Sequence, residues 1–397
     1  MEVTPLHIKI ENPLKDMIPG GFPWSKERLE EYAKQLNSPD NPGFIYTYGE
    51  RLRNWNDEVD QVQYIIKKIK DNEFDPSRSA FFMPTASGPC RFGHYQQAQE
   101  IILKNLGYAD VPLVSPTAKT AYGDMMGLKL GFRRLAWQGV VAADFLTKLT
   151  HLKRPYEKNK GDTDQLYNYY MQELIKTIEG KNGKLPGLMK QMNKDFALIS
   201  TNGFHPKPVI GMVGEIFLRL NPHCNTHIVR KVEALGGEAR VVPIFEWGFY
   251  TNLGYMYESY MRRRPDYFAL AFLRDLVQKW DEHRLAHQIK SFKTKEPSSL
   301  KLIKNSSPYL HYSFKGEAVL TIGKAIDFIE NGAAGIINIM PFTCMPGTVA
   351  SALSKRVRKD YGDFPWMDLP IDENEGVNLD TRLEAFMHQA VNARREG

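Results

Sequence analysis

Strands that alternate with helices predict an α/β protein, and three features of the sequence carry that expectation. The first is a βαβ unit: "PVIGMVGEIFLRL" reads as a strand, "NTHIVRKVEALGG" as a helix and "EARVVPIFEW" as the next strand. The second repeats the alternation further on, with "EAVLTIGKAIDFIENG" as a helix, "AAGIINIMPF" as a strand and "GTVASALSKRVRKDY" as a helix. The third is the length of 397 residues, enough for two or three domains. We therefore expect two Rossmann-like α/β domains with parallel sheets and helical insertions. Residues 1–79 are read as an N-terminal arm and helices packing on the first domain, 80–205 as the first α/β domain and 206–397 as the second.

In chain order, residues 1–45 are rich in Pro, Gly and charge and read as an irregular arm with one short helix, "WSKERLEEYAKQL". In "DEVDQVQYIIKKIKD", Val59, Val62, Ile65, Ile66 and Ile69 fall on one helical stripe. "SAFFMPTASGPCRFGHYQQAQEIILKNLGY" reads as strand, loop and helix, the helix closed by Gly107, and "VPLVSP" as a second strand. Residues 121–200 read as mostly helical, and "HPKP" near residue 205 breaks the pattern and sets the domain boundary. After the βαβ unit comes a helical stretch, "DYFALAFLRDLVQKWDEHRLAHQI", and then a polar surface loop over 291–308. The strand "FPWMDLPID" and the helix "LDTRLEAFMHQAV" complete the chain, with Asn378 capping that helix and Arg382 and Glu384 fixing its packing.

Hydrophobic content of 42% and charged content of 25% are those of an ordinary soluble globular protein. The net charge of +6 is spread out, with its densest runs at "MRRRPDY" and "SKRVRKDY". These runs read either as solvated helix faces or as docking points for an acidic partner or a phosphate-bearing ligand. No nucleic-acid module is recognisable, so no nucleic-acid partner is expected. The absence of a signal peptide and of 18 uninterrupted apolar residues predicts a cytoplasmic protein with no membrane association.

The three cysteines occupy one kind of position. Cys90, Cys224 and Cys344 each follow a strand-like run and precede a helix, with Pro89, Pro222 or Pro341 one to three residues upstream. Ligands in open α/β sheets bind at that edge. A helix N-terminus offers unpaired N–H groups and a positive dipole end, which favour a thiolate. Gly88, Gly93 and Gly347 let the backbone approach a bulky ligand, and the prolines stiffen the loops. A lone cysteine is most often a core residue, but three in one setting predict joint metal ligation.

The cysteines lie 134 and 120 positions apart and form no C-x-x-C pair, so the sulfurs would have to converge by folding. Three thiolates could hold three irons of a 4Fe-4S cube and leave the fourth open for chemistry. Zinc with His223 or His227 as fourth ligand is the competing reading, and incidental buried thiols are a third. Beside the expected centre, Arg91 and His94 are candidate hydrogen-bond donors to cluster or substrate. Glu215, read as lying inside a strand, is a candidate proton carrier or structural anchor.

"MPTASGPCRFGHYQ", "VGEIFLRLNPHCN", "NIMPFTCMPGTVASALSKR" and "NLDTRLEAFMHQA" together resemble the 2-hydroxyacyl-CoA dehydratase/benzoyl-CoA reductase superfamily. More narrowly, they resemble the C-terminal part of CoA-substrate-specific enzyme activase-related proteins and double-cubane cluster proteins. The resemblance implies an oxygen-sensitive iron-sulfur cluster, a 4Fe-4S cube or a bridged 8Fe-9S double cubane, held by Cys90, Cys224 and Cys344 in the cleft between two domains. It also implies an oxidoreductase or dehydratase-like lyase that takes low-potential electrons from a separate ATP-hydrolysing activator. The substrate would be an acyl-CoA or a small molecule, and the chain a homodimer or heterodimer. An iron-sulfur scaffold without turnover, or a non-redox α/β binding protein, are the alternatives.

Overall fold

A computed structural model describes residues 81–85, 90–105, 107–117, 130–180, 183–203, 206–292, 296–371 and 378–396. The arm expected over 1–79 and the loop residues Gly88 and Pro89 lie outside the described residues. The first described strand, β1 (Phe81–Phe82), pairs in parallel with β2 (Leu113–Val114), and between them runs α1 (Phe92–Asn105). Gly107 ends that helix as expected, at a φ of +83° that glycine adopts without penalty. Three helices follow: α2 (Leu130–Lys153), α3 (Asp162–Glu179) and α4 (Leu185–Leu198). Phe145, Leu149, Leu174, Met189 and Phe196 form their shared core.

The larger sheet is built from β3 (Val209–Gly214), β4 (Glu238–Val241), β5 (Gly335–Pro341) and β6 (Trp366–Ile371). Its order is β4-β3-β5-β6, and every pairing is parallel. β5 is buried along its whole length, as its near-continuous apolar sequence requires of a central parallel strand. Alternation then sorts the side chains. Ile210, Met212, Ile337 and Ile339 face one apolar layer, completed by α6 (Ile228–Ala234) and α12 (Leu379–Glu396). Val213 and Ile336 face the other layer, covered by α10 (Glu317–Glu330). α11 (Met345–Asp360) packs on the same side as α10, through Ala350 and Val357.

The α/β reading therefore holds for a four-stranded parallel sheet with many helices. Three expectations need correction. The strand read as running through "GEIFLRL" stops at Gly214, and α5 (Ile216–Leu220) takes over, so Glu215 is a helix cap and not a strand residue. "PIFEW" is not strand but leads into α7 (Phe245–Met261), whose apolar residues lie all round and give no single stripe to read. α7 is followed by α8 (Pro265–Ala286). The loop expected over 291–308 contains α9 (Ser299–Ser306), started by Ser298, whose hydroxyl accepts the Lys301 N–H at 3.3 Å.

Gly214 is the hinge between sheet and site. Its φ is +105°, and a Cβ there would lie 2.0 Å from the Ile339 carbonyl oxygen on β5. Neither the backbone angle nor the adjoining strand can yield cheaply. Gly214→Ala is expected to cost about 2–4 kcal/mol in denaturant unfolding, from strain at a special φ together with steric overlap.

Candidate active site at the carboxyl edge of the sheet

At the end of β5 the Pro341 carbonyl accepts the Cys344 N–H at 3.0 Å. Thr343 takes up a left-handed φ of +64° to make that turn. Cys344 is then the extended N-cap of α11, and its carbonyl accepts the Thr348 N–H at 2.8 Å. Pro346 suits the first turn, where its missing N–H has no helical partner to lose. A Cβ on Gly347 would sit 2.4 Å from the Met340 sulfur, so only glycine lets this first turn lie on the strand end.

Cys90 stands in the same relation to α1, with its carbonyl accepting the Gly93 N–H at 3.3 Å. The two loops meet: Arg91 Nη1 donates to Thr343 Oγ1 at 3.4 Å, a contact between residues 252 positions apart. Each cysteine's neighbour thus holds the other's loop.

The electrostatics of the two thiols run against the sequence expectation. Burial pushes the Cys90 thiol up to about 11; the Phe92 N–H opposes the shift, and the charges of Glu317 and Glu215 add to it. Burial likewise pushes Cys344 up to about 12, opposed by the Gly347 N–H and reinforced by Glu317, Glu215 and Cys90. Helix-terminal N–H groups do act on both sulfurs, but desolvation and two nearby carboxylates outweigh them. The thiols are therefore held protonated, not poised as thiolates.

The carboxylates belong to a buried ionic layer beneath the loops. Glu215 caps α5 by accepting the Phe217 and Leu218 N–H groups at 3.0 and 2.7 Å, and Glu317 Oε1 accepts the Ile216 N–H at 3.4 Å. Burial raises the pKa of both, and the charge of Glu215 raises Glu317 further. Glu317 reaches about 8, with burial the main cause and Glu215 the next. The cation opposing them is Arg219, whose guanidinium donates to the Gly214, Val242 and Pro243 carbonyls at 2.6, 3.0 and 3.4 Å. Behind Glu317, Arg219, Glu246 and Lys324 line a cavity of about 10 Å³, the size of a single water. Lys324 closes that cavity, 3.2 Å from Glu246 and also paired with Glu296.

The expected site residues divide between the cleft and elsewhere. Cys90, Cys344 and Arg91 come together, and Glu215 joins them from its cap position. His94 is exposed on α1, with Nδ1 3.4 Å from Gln97 Oε1. Cys224 is fully buried in the apolar layer with Leu218, Ile228 and Ile339, and its N–H donates to Asn221 Oδ1 at 3.2 Å. His223 and His227 pack edge to face, their ring centroids 5.4 Å apart. Among the described residues no three His, Cys, Asp or Glu side chains gather as metal donors. The joint metal site expected of Cys90, Cys224 and Cys344, and its zinc variant, are corrected accordingly.

Two residues of the cleft were not anticipated: Glu317 and Tyr95. Tyr95 sits one helical turn beyond Arg91, and its hydroxyl is raised by burial and then by Cys90. A Glu opening an apolar helix after a Gly, as Glu317 follows Gly316, was the one signal available.

The fold and site so far define an α/β protein with a two-thiol, two-carboxylate cleft at the carboxyl edge of its sheet. No family model matches the chain, and no solved structure matches it. The curated proteins similar to it are archaeal and bear the name "putative thymidylate synthase". One from Methanosarcina mazei is 57% identical over 72 residues, covering 18% of this chain and 33% of that protein. One from Methanothermobacter thermautotrophicus is 43% identical over 65 residues, covering 16% and 29% respectively. One from Methanopyrus kandleri is 33% identical over 66 residues, covering 17% and 31%. The chain thus spans about a third of the length of the curated relatives it matches, and more than four fifths of it lies outside the matched stretch. These names point to a different family from the dehydratase superfamily expected from the sequence. That assignment is corrected, together with its iron-sulfur cofactor and its role as an electron-accepting reductase. Among the described residues no helix is long and apolar enough to cross a membrane.

Two outcomes follow from the charges. Glu317→Gln removes a negative charge that raises both thiols, so alkylation of Cys90 and Cys344 at pH 8, read by mass spectrometry, should speed up several-fold. Cys224, in the core, should react only on unfolding. Glu317 also makes stability depend on pH. A carboxyl whose folded pKa lies above its ordinary 4.5 favours the folded state most below 4.5, and that contribution is lost as pH rises through about 8. Across that window Glu317→Gln should remove about 1.4 kcal/mol per pH unit of declining stability, measured by denaturant unfolding at each pH.

Proposed function

We propose that this chain is an enzyme that works through the Cys90–Cys344 thiol pair, with a buried carboxylate as proton acceptor. The observation that carries this reading is that the Cys90 and Cys344 loops meet through the Arg91–Thr343 hydrogen bond, above the buried Glu317 and Glu215 whose charges help to raise both thiols. A thiol becomes a strong nucleophile only on losing its proton. Glu317, itself raised, is a better base toward a thiol than an ordinary carboxylate, because the gap between the two pKa values is narrower. Moving the proton from sulfur to Glu317 also cancels one of the charges that add to burial in holding the thiol protonated. The resulting thiolate faces the Phe92 N–H at Cys90 or the Gly347 N–H at Cys344. Sulfur can then bond to an electrophilic carbon of the substrate. The electron pair displaced from that carbon would take up a proton, which protonated Glu317 can return.

For the substrate class we propose a nucleotide. The support is the name of the archaeal relatives, which describes an enzyme that makes thymidylate, together with 57% identity over the matched 72 residues. The experiment is growth of a thymidine-requiring bacterial host carrying this chain, in medium without thymidine. Growth with the wild-type chain, reduced at least tenfold by Cys90→Ser or Cys344→Ser at equal protein level, supports both parts. Growth that survives both substitutions removes the thiol pair from the reaction. No growth from well-expressed wild-type protein removes the thymidylate reading.

A further inference from the structure

α10 turns a polar stripe inward behind the cleft. Glu317, Thr321 and Lys324 stand four and three residues apart, so they share one face of the helix, and together they wall the cavity of about 10 Å³. Arg219 of α5 and Glu246, in the first turn of α7, line the same cavity. Asp144 of α2 fixes that turn, its carboxylate accepting the Phe245 N–H at 2.9 Å. The hydrogen bonds around the cavity are incomplete. Glu246 is 3% exposed, and its Oε2 accepts no hydrogen bond from any described residue. Lys324 Nζ stands 3.2 Å from that oxygen but donates to Glu296 instead. Arg219 gives three of its five N–H groups to backbone carbonyls, and the other two have no acceptor among the described residues. A buried acceptor without a donor thus lines the same small space as donors without an acceptor. Water supplies both functions, and the cavity has the size and the polar walls that one water needs.

We infer that the cavity binds one resident water joining Glu246 to Glu317, and that Glu246, acting through this water, is a positioning residue for Glu317. The inference rests on the reading of Glu317 as acceptor of the thiol proton. The water accepts an N–H from Arg219 or Lys324 and donates one O–H to Glu246 Oε2. While Glu317 is ionised, the second O–H of the water donates to it. Once Glu317 has taken the proton from sulfur, its own O–H donates to a lone pair of the water. The water then only rotates, and Glu317 keeps a partner in both states. The Glu246 carboxylate competes for the water's hydrogens, so the water is the better acceptor toward protonated Glu317. The charged and titratable groups that face Glu317 are Glu215 and Arg219 from α5 and the Cys90 and Cys344 thiols across the cleft. Those that face Glu246 are Lys324, Glu296 and Arg219.

The test joins a crystal structure of the wild-type chain at about 1.5 Å to an infrared pH titration of the same protein. The density should show one water within hydrogen-bond distance of both Glu246 and Glu317. In the infrared, Glu317 is the carboxylic acid band that Glu317→Gln removes, which separates it from Asp144, a group that burial raises to about 7. That band should titrate near 8 in the wild type. In Glu246→Gln its midpoint should fall by about half a pH unit or more, because an amide holds the water less strongly than a carboxylate. Density without a water that touches both acids overturns the inference. So does a wild type with no such band, and so does a midpoint that Glu246→Gln leaves in place. If Glu246→Gln fails to fold, the wild-type density decides alone. The thiol reading fails by a different result, growth that survives Cys90→Ser and Cys344→Ser, and that result leaves the water and its two acids in place.

Discussion

Five consecutive residue pairs, from Ile210–Gly335 to Gly214–Ile339, hold β3 against β5 in parallel, and the candidate site depends on that pairing. Parallel strands end on the same side, so everything that follows β3 and everything that follows β5 emerges at one edge. Glu215 and α5 follow β3; Cys344 and α11 follow β5. Their meeting needs no special interaction, only the register. The close fit of Gly214 against Ile339 leaves no room for that register to slip.

Charge buried at that edge gives the cleft its chemical character. Arg219 is almost fully buried, and its guanidinium is held by three backbone carbonyls instead of by one carboxylate in a tight pair. Glu215 spends its oxygens on helix N–H groups, and Glu317 accepts one more from the same turn. Two acids thus share one positively charged neighbourhood without a private partner, an arrangement that raises a carboxyl pKa. The same acids reach the thiols. The proton affinity of sulfur in the cleft is therefore raised by burial first and by the Glu317 and Glu215 charges besides, against the N–H groups of the helices that carry the cysteines.

The resemblance to cluster-binding dehydratases rested on cysteine-bearing loops of a shared type. Two of those loops do meet. The third cysteine lies in the apolar layer between sheet and helix, where it acts as a small hydrophobe. The relatives found are named for nucleotide chemistry, and their stretch of similarity is short beside the chain. For most of the described residues, the geometry of the cleft therefore carries the functional reading.

Hydrophobic period and helix punctuation were enough to place β3, β5, β6, α10 and α11, because an apolar strand between glycines and a capped amphipathic helix are local signals. They failed at α7, which is buried on several sides and has no stripe, and at α9, a short polar helix held by its contact with Gly323. The sequence also located Cys90 and Cys344 at strand-to-helix turns. It did not reveal that Cys224, in a like turn, points into the core, nor that Glu317 stands beside Glu215 across 102 positions of chain. Those facts are decided by which strand lies next to which and by how deeply each loop is covered. Burial and the proximity of distant charges are properties of the assembled fold, and no local run of residues encodes them.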